Sequence, residues 1–454
     1  MTTANPSPSL PGHAVVIGAS VTGLLAARVL SDFHGRVTVL DRDALPGGPE
    51  PRKGVPQGQQ IHVLLVGGAN VIETLFPGFL EHLVQHGSVP VDFSKGEASW
   101  FQHGVWKQHA ARKIIVHSQT RPFLEWHLRA RLAQLPNVTI RPLSTVTRLA
   151  WDPSHSRVTG VFTHPAVPTG EPSPSDDEQL LEADLVLDAG GRNAGTPKWL
   201  EEAGYNRPRE TTVGIKMGYS TRFYASPPSG PPPWKAVAVY AKAPVSTRSG
   251  VIFRVEGDRW IVTLMGALGD YPPTDDAGFL EFARQLDNPA VHEWLKQAQP
   301  LTPAVAYRYP AHLRRHYSEL DRFPEGLLVC GDALCSFNPI YGQGMTAGAL
   351  EVLALRNALQ QRGSHAPLWK TFFNQADDAV QGPWSMATGA DFLHPRTEGE
   401  RPWDIRFRNW YLRRLLEATG RDPEVTTTFY EVLHLLRKPT VLFSPGILRR
   451  VLFG

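Results

Sequence analysis

The chain is poor in cysteine and has no long apolar run. Cys330 and Cys335 are its two cysteines among 454 residues. They are too few for a disulfide framework and lack the close pairing of a zinc or redox site, so a reducing compartment is expected and no metal is. No uninterrupted stretch of about 18 apolar residues occurs, which argues against an ordinary membrane-spanning helix. Neither sign of charge dominates. Against 46 Lys and Arg stand 43 Asp and Glu, a formal balance of +3. No basic run with interleaved aromatics appears, so nucleic acid is not an expected partner. The first ten residues are polar and rich in Pro and Ser, and no charged-then-apolar leader is read there. These absences point to a cytoplasmic protein long enough for two or three domains.

What is present is three short segments, far apart in the chain. The first, VVIGASVTGLLAARVL, joins an apolar strand to a helix through Gly18, Ser20 and Gly23, and the next apolar run ends on Asp41 and Arg42. This strand, glycine turn, helix and acid is the pattern that holds a dinucleotide. Gly18 permits the tight turn, and Gly23 lets the helix approach the strand. Ser20 stands where a glycine usually lets backbone amides reach a pyrophosphate, and its hydroxyl can donate to a phosphate oxygen. Asp41 is placed to accept hydrogen bonds from a ribose. The second segment is DLVLDAGGRNAG, with Asp188 and Gly190. The third, LLVCGDALCSFNPIYGQGMTAG, carries Asp332, Pro339, Gly342 and Gly344 and opens a helix at Met345 and Thr346. Asp332 can bind a ribityl hydroxyl, while the amides of Met345 and Thr346 can face the pyrimidine edge of a flavin and favour its reduced anion. In this order the three segments read as a site for FAD. Only one dinucleotide fingerprint occurs, so NADPH or NADH is expected to bind transiently or to deliver electrons through a partner reductase.

On these residues the chain resembles the single-component flavin monooxygenases of the para-hydroxybenzoate hydroxylase type, over residues 14 to about 360. RKGVPQ, DRWIVT and FNPIYGQGM are most similar to bacterial polyketide and polyether epoxidases, and more distantly to squalene epoxidases. The resemblance implies an α/β fold: a Rossmann-like, glutathione-reductase-type FAD domain, an inserted antiparallel β-sheet domain for substrate, and a helical C-terminal extension. It implies that Arg52 is on a mobile loop beside the flavin, that Arg121 contacts the dinucleotide, that Val146 lies by the adenine, and that Pro339 lines the reacting face. It also implies insertion of one oxygen atom from O2, through a flavin hydroperoxide, into an apolar intermediate such as a polyketide or isoprenoid. Epoxidation is the first expectation and hydroxylation the second. One departure stands out: the family has Asp-Gly where this chain reads Gly190-Gly191, which leaves the electron donor open.

Texture along the chain divides it as follows: 1–12 disordered; 13–90, 117–205 and 311–361 for FAD; 91–116 and 206–310 for substrate; 362–454 helical. Residues 164–178 read as a hairpin tip, and the two β blocks as one antiparallel sheet. Trp100, Phe253 and Met265 are candidates for an apolar substrate pocket. His62, His103 and His109 are candidate bases, but each reads better as an ordinary surface or core histidine, and no catalytic base is assigned. Three other readings share the fold. A halogenase would need a lysine within a Trp-x-Trp-x-Ile-Pro-like stretch, which is absent. A geranylgeranyl-type reductase would reduce double bonds, and a GDP-dissociation-inhibitor-like protein would only bind. The last segment, EVLHLLRKPTVLFSPGILRRVLFG, mixes apolar residues with arginines. A packed terminal helix pair is favoured there over peripheral contact with a membrane surface.

Overall fold

The computed structural model describes residues 11–165, 178–228, 230–361, 363 and 366–454. The disordered segment expected at the N-terminus lies almost entirely outside these residues, as does the expected hairpin tip. The strands flanking that tip, Val158–Pro165 and Gln179–Glu182, do pair antiparallel.

A parallel sheet of five strands positions the site. Its spatial order is Leu327–Val329, Leu185–Asp188, His13–Ile17, Arg36–Leu40, Val138–Arg141. The three central strands are almost wholly buried and apolar, as a parallel sheet covered on both faces requires. Register aligns their carboxyl ends: Ile17 lies opposite both Leu40 and Asp188, and Asp188 opposite Val329. The three motif segments therefore all leave the sheet at one edge, where open α/β sheets bind ligands.

The helix Val21–Leu30 follows the first strand and approaches it closely. A Cβ on Gly23 would lie 1.9 Å from the carbonyl oxygen of Gly18. Gly18 itself has φ +101°, in the left-handed region that glycine favours. The helix Gly344–Gln360 lies against both this helix and Val66–Leu75.

The second layer is an eight-stranded sheet that includes Glu210–Tyr224, Arg259–Gly266, Arg248–Val255 and Ala236–Val239. It is antiparallel except where Ala236–Val239 pairs parallel with Ala98–Gln102. The two β blocks meet at that pair. They are separated by more than a hundred residues, so no hairpin dictates an antiparallel join. The sheet also takes in Val305–Arg315 and Cys335–Ser336. Val89–Asp92 and Ile115–Ser118 form a separate small sheet with Val63–Leu64. Beyond residue 362 the chain is mainly helical: Leu368–Asp391, Ile405–Ala418, Pro423–Leu433 and Pro445–Phe453.

Gly23→Ala forces a methyl into the backbone of the first turn. Overpacking of this kind costs about 1–3 kcal/mol. Denaturant unfolding should show a lowered midpoint; an unchanged midpoint would contradict this helix–strand approach.

Candidate functional site

A cleft of about 390 Å³ runs along the carboxyl edge of the parallel sheet. Gly18, Ser20, Asp41, Arg42, Arg52, Arg121, Val146, Asp188, Gly190, Asp332, Pro339, Gly342, Gly344 and Met345 all line it. Two residues singled out in the sequence do not. Gly23 acts behind the turn, as its packing requires, and Thr346 is fully buried, with its hydroxyl where a Cβ on Gly68 would lie 2.7 Å away.

Two helices begin at the cleft, at Val21 and Gly344, and neither has a side-chain cap on its first amides. Neither carries an acid in its first turn. Free N–H groups and the positive ends of two helix dipoles are therefore available to anionic groups. Asp332 lines the cleft, and its carboxylate has no hydrogen-bond partner among the described residues. Burial pushes its pKa up, against the pull of Arg121 and Arg192. A ligand carrying hydroxyls would give it donors.

Five charged side chains and a serine are tied together at one end of the cleft. Arg52 Nε donates to Glu125 at 2.6 Å, and its Nη1 reaches Asp43 at 2.8 Å and Asp41 at 3.1 Å. Arg121 donates to Ser20 Oγ at 2.6 Å, and Ser20 donates to Glu125 at 3.0 Å. Asp41 Oδ2 also accepts the Ala19 amide at 2.8 Å. Burial alone would raise the Glu125 carboxyl, but Arg121 and Arg52 outweigh it and hold the group below its ordinary value. Burial lowers Arg121, although Glu125 opposes the shift. Glu125 and Asp43 were missed in the sequence. The spacing of Arg121 and Glu125, one helical turn apart, was the signal for the first; Asp43 had none.

Asp188 braces the turn that follows its strand. It accepts the Gly190 amide at 2.8 Å and the Thr196 hydroxyl at 2.5 Å. Burial raises its pKa, while Thr196 and Gly190 oppose that. The carboxylate of the second segment is thus engaged in holding Gly190 and Gly191 in place.

A second cavity, of about 300 Å³, lies on the other side of the Asn338–Gly342 loop. Trp100, Phe253 and Met265 line it, as expected of a pocket for an apolar molecule. Ile61, Val63, Pro339 and Gly342 line both spaces. A buried network absent from the sequence reading braces the loop. His312 Nε2 lies 2.7 Å from Asp391, and the Asn338 amide donates to His312 Nδ1 at 3.2 Å, which places the ring proton on Nε2. Tyr341 donates to Asp391 at 2.5 Å, and Tyr219 donates to the Asn338 side chain. Tyr240 donates to the Ile340 carbonyl at 3.0 Å.

Of the three candidate bases, His62 lines the cleft. Burial, aided by the Arg121 charge, lowers it to about 4. His103 is buried away from both spaces and His109 is exposed. His434 reaches the apolar cavity instead, both ring nitrogens lack partners, and burial lowers it to about 3.

The fold is that of flavin-dependent monooxygenases and halogenases. Over 93% of both chains it superposes on the flavin-dependent brominase Bmp2 with a TM-score of 0.66 at 15% identity. It also matches the p-nitrophenol 4-monooxygenase PnpA of Pseudomonas putida DLL-E4, with a TM-score of 0.62 at 18% identity over 94% of this chain and 98% of that one. No family model matches the sequence. The chain is 38% identical to protein Rv3254 of Mycobacterium tuberculosis (strain ATCC 25618 / H37Rv) over 94% of each, and it belongs to the same family as that protein.

Because the His434 pKa is depressed in the folded chain, its contribution to stability is whole above the ordinary 6.5 and is lost as pH falls. His434→Leu should flatten the decline of unfolding free energy below that pH. An unchanged slope in urea titrations across the acid range would contradict the burial of a neutral ring.

Proposed function

We propose that the chain binds FAD in the cleft and inserts one oxygen atom from O2 into an apolar molecule held in the adjoining cavity. The observation that carries this reading is the shared wall: Pro339 and Gly342 line both the cleft that holds Asp332, Arg52 and Arg121 and the apolar cavity beside it. The cleft fits the group, with two uncapped helix starts, an unpartnered Asp332 and the Gly18 turn in the order a flavin dinucleotide needs.

In this reading the amides opening Val21–Leu30 hold the pyrophosphate, with the nearby Arg52 and Arg121; Ser20, expected to donate to a phosphate, instead gives its proton to Glu125 and accepts from Arg121. Asp41 and Arg42 serve the adenosine end, with Val146 beside it, and Asp332 takes the ribityl chain. The amides at Gly344 and Met345 face the pyrimidine edge of the ring. Bound there and reduced, the flavin supplies an electrophilic oxygen atom derived from O2. The chain's own task is to keep water out and to hold the acceptor carbon at the Pro339 face.

The tyrosines of the cavity favour an alkene over a phenol. The Tyr219, Tyr240 and Tyr341 hydroxyls are all spent on the Asn338–Tyr341 loop or Asp391, and burial raises the pKa of each. His434 is too weakly basic to accept a phenol proton at neutral pH. Epoxidation of an isolated double bond needs no such base, so it remains the first reading and aromatic hydroxylation the second. A polyketide or isoprenoid intermediate suits the apolar lining. NADPH or NADH is the electron source, directly or through a flavin reductase.

Asp332→Ala should weaken FAD binding at least about tenfold in equilibrium titration, the cost of losing charge-assisted hydrogen bonds. Asp332→Asn, which keeps hydrogen-bonding capacity, should lie between it and the wild type. Turnover under labelled oxygen should add one labelled atom to an apolar alkene. Unaltered affinity in Asp332→Ala would remove Asp332 from the site. A product that has gained two hydrogens would mark a reductase instead.

A further inference from the structure

The helix Ile405–Ala418 has two unlike faces. Its inner face, with Tyr411, Leu412, Leu415 and Leu416, forms a wall of the apolar cavity. Its outer face carries aromatic rings into solvent. Trp403, just before the helix, is 95% exposed, Phe407 55% and Trp410 41%. These positions, with Arg414, recur at spacings of four, three and four residues, so they form one stripe along the surface. Phe407 and Trp410 lie with ring centroids 5.8 Å apart, and the Arg414 guanidinium stands 5.1 Å from the Trp410 ring. Arg406 and Arg413 are exposed beside the stripe.

Burial of such rings normally follows from packing, and here the described residues leave Trp403 almost wholly open and Phe407 and Trp410 about half open. Their chemistry and the charges around them define what would cover them. Tryptophan and phenylalanine flanked by arginine match the boundary between lipid headgroups and acyl chains, with rings below and guanidinium groups among the phosphates. A protein partner of ordinary composition would not call for that cluster of positive charge, whereas an anionic bilayer does. Among the described residues no helix is long and apolar enough to cross a membrane, so the contact is with the surface.

We propose that the outer face of Ile405–Ala418 docks this protein on an anionic lipid surface. In the chain's last segment, where a packed helix pair is the favoured reading over membrane contact, Leu442, Ile447 and Val451 are buried in packing. Phe443 is the bridge between the two regions. It is 42% exposed, stacks on Tyr411 with ring centroids 4.7 Å apart, and lines the cavity together with the half-exposed Arg408. The cavity thus reaches the surface beside the docking helix, where an apolar molecule dissolved in lipid could pass into it without crossing water. The docking itself stands whether or not the cleft holds a flavin.

The test is flotation of the full-length chain with vesicles of phosphatidylcholine alone and of phosphatidylcholine mixed with phosphatidylglycerol, at low and high salt. The chain should float with the anionic vesicles only and be released by salt. Joint replacement of Trp403, Phe407 and Trp410 by serine should weaken binding by at least about tenfold. Arg406→Glu with Arg413→Glu should weaken it by about fivefold or more for each charge removed. Both variants alter exposed side chains, and unchanged melting temperatures will show that they fold. No binding to anionic vesicles, or binding that both variants retain, overturns the proposal. So does a dimer in size-exclusion chromatography that the aromatic variant dissolves, since a second copy would then cover the stripe.

Discussion

The loop from Asn338 to Gly342 is the constraint on which the rest of the site depends. It stands between the cleft at the sheet edge and the apolar cavity, and its position is fixed from behind. Asn338 is fully buried, its backbone amide engages His312, and its side chain accepts from Tyr219 and reaches toward Asp391. Asp391 in turn holds His312 and Tyr341. Buried polar groups of this kind are costly unless every one is paired, and paired they define one geometry. The partition is therefore rigid where an oxygen atom would have to cross from one side to the other.

The cleft at the sheet edge was legible because a site of that kind depends on backbone. A turn that must approach a phosphate needs glycine, and Gly18 and Gly23 announce it; an acid at the end of the next strand follows at a set distance. The Asp332 turn and the helix start at Gly344 are legible for the same reason. The aromatic pocket was visible in Trp100, Phe253 and Met265 only as alternation along strands, which a plain sheet core would equally produce. It took the pairing of Ala236–Val239 with Ala98–Gln102 to bring the two β blocks around one cavity.

What stayed hidden was whatever side chains do across long separations. Arg52 and Glu125 meet over 73 residues, and His312 and Asp391 over 79. No local pattern marks either pair. Asp391 ends a helix in a region that carries no motif, yet it holds the Asn338–Gly342 loop. The stripe on Ile405–Ala418 shows the same limit from the other side: the sequence marks 362–454 only as helical, and the fold reveals that Phe407 and Trp410 face outward.

The central claim is that a flavin and an apolar ligand lie on opposite sides of one thin wall. Difference absorption spectroscopy of FAD-loaded protein, titrated with an apolar polyene, addresses it most directly. A saturable shift of the flavin bands is predicted, and Met265→Trp, which fills the cavity without touching the cleft, should abolish the shift while leaving FAD content intact. Protein that takes up no FAD, or a shift that persists in Met265→Trp, would contradict the account.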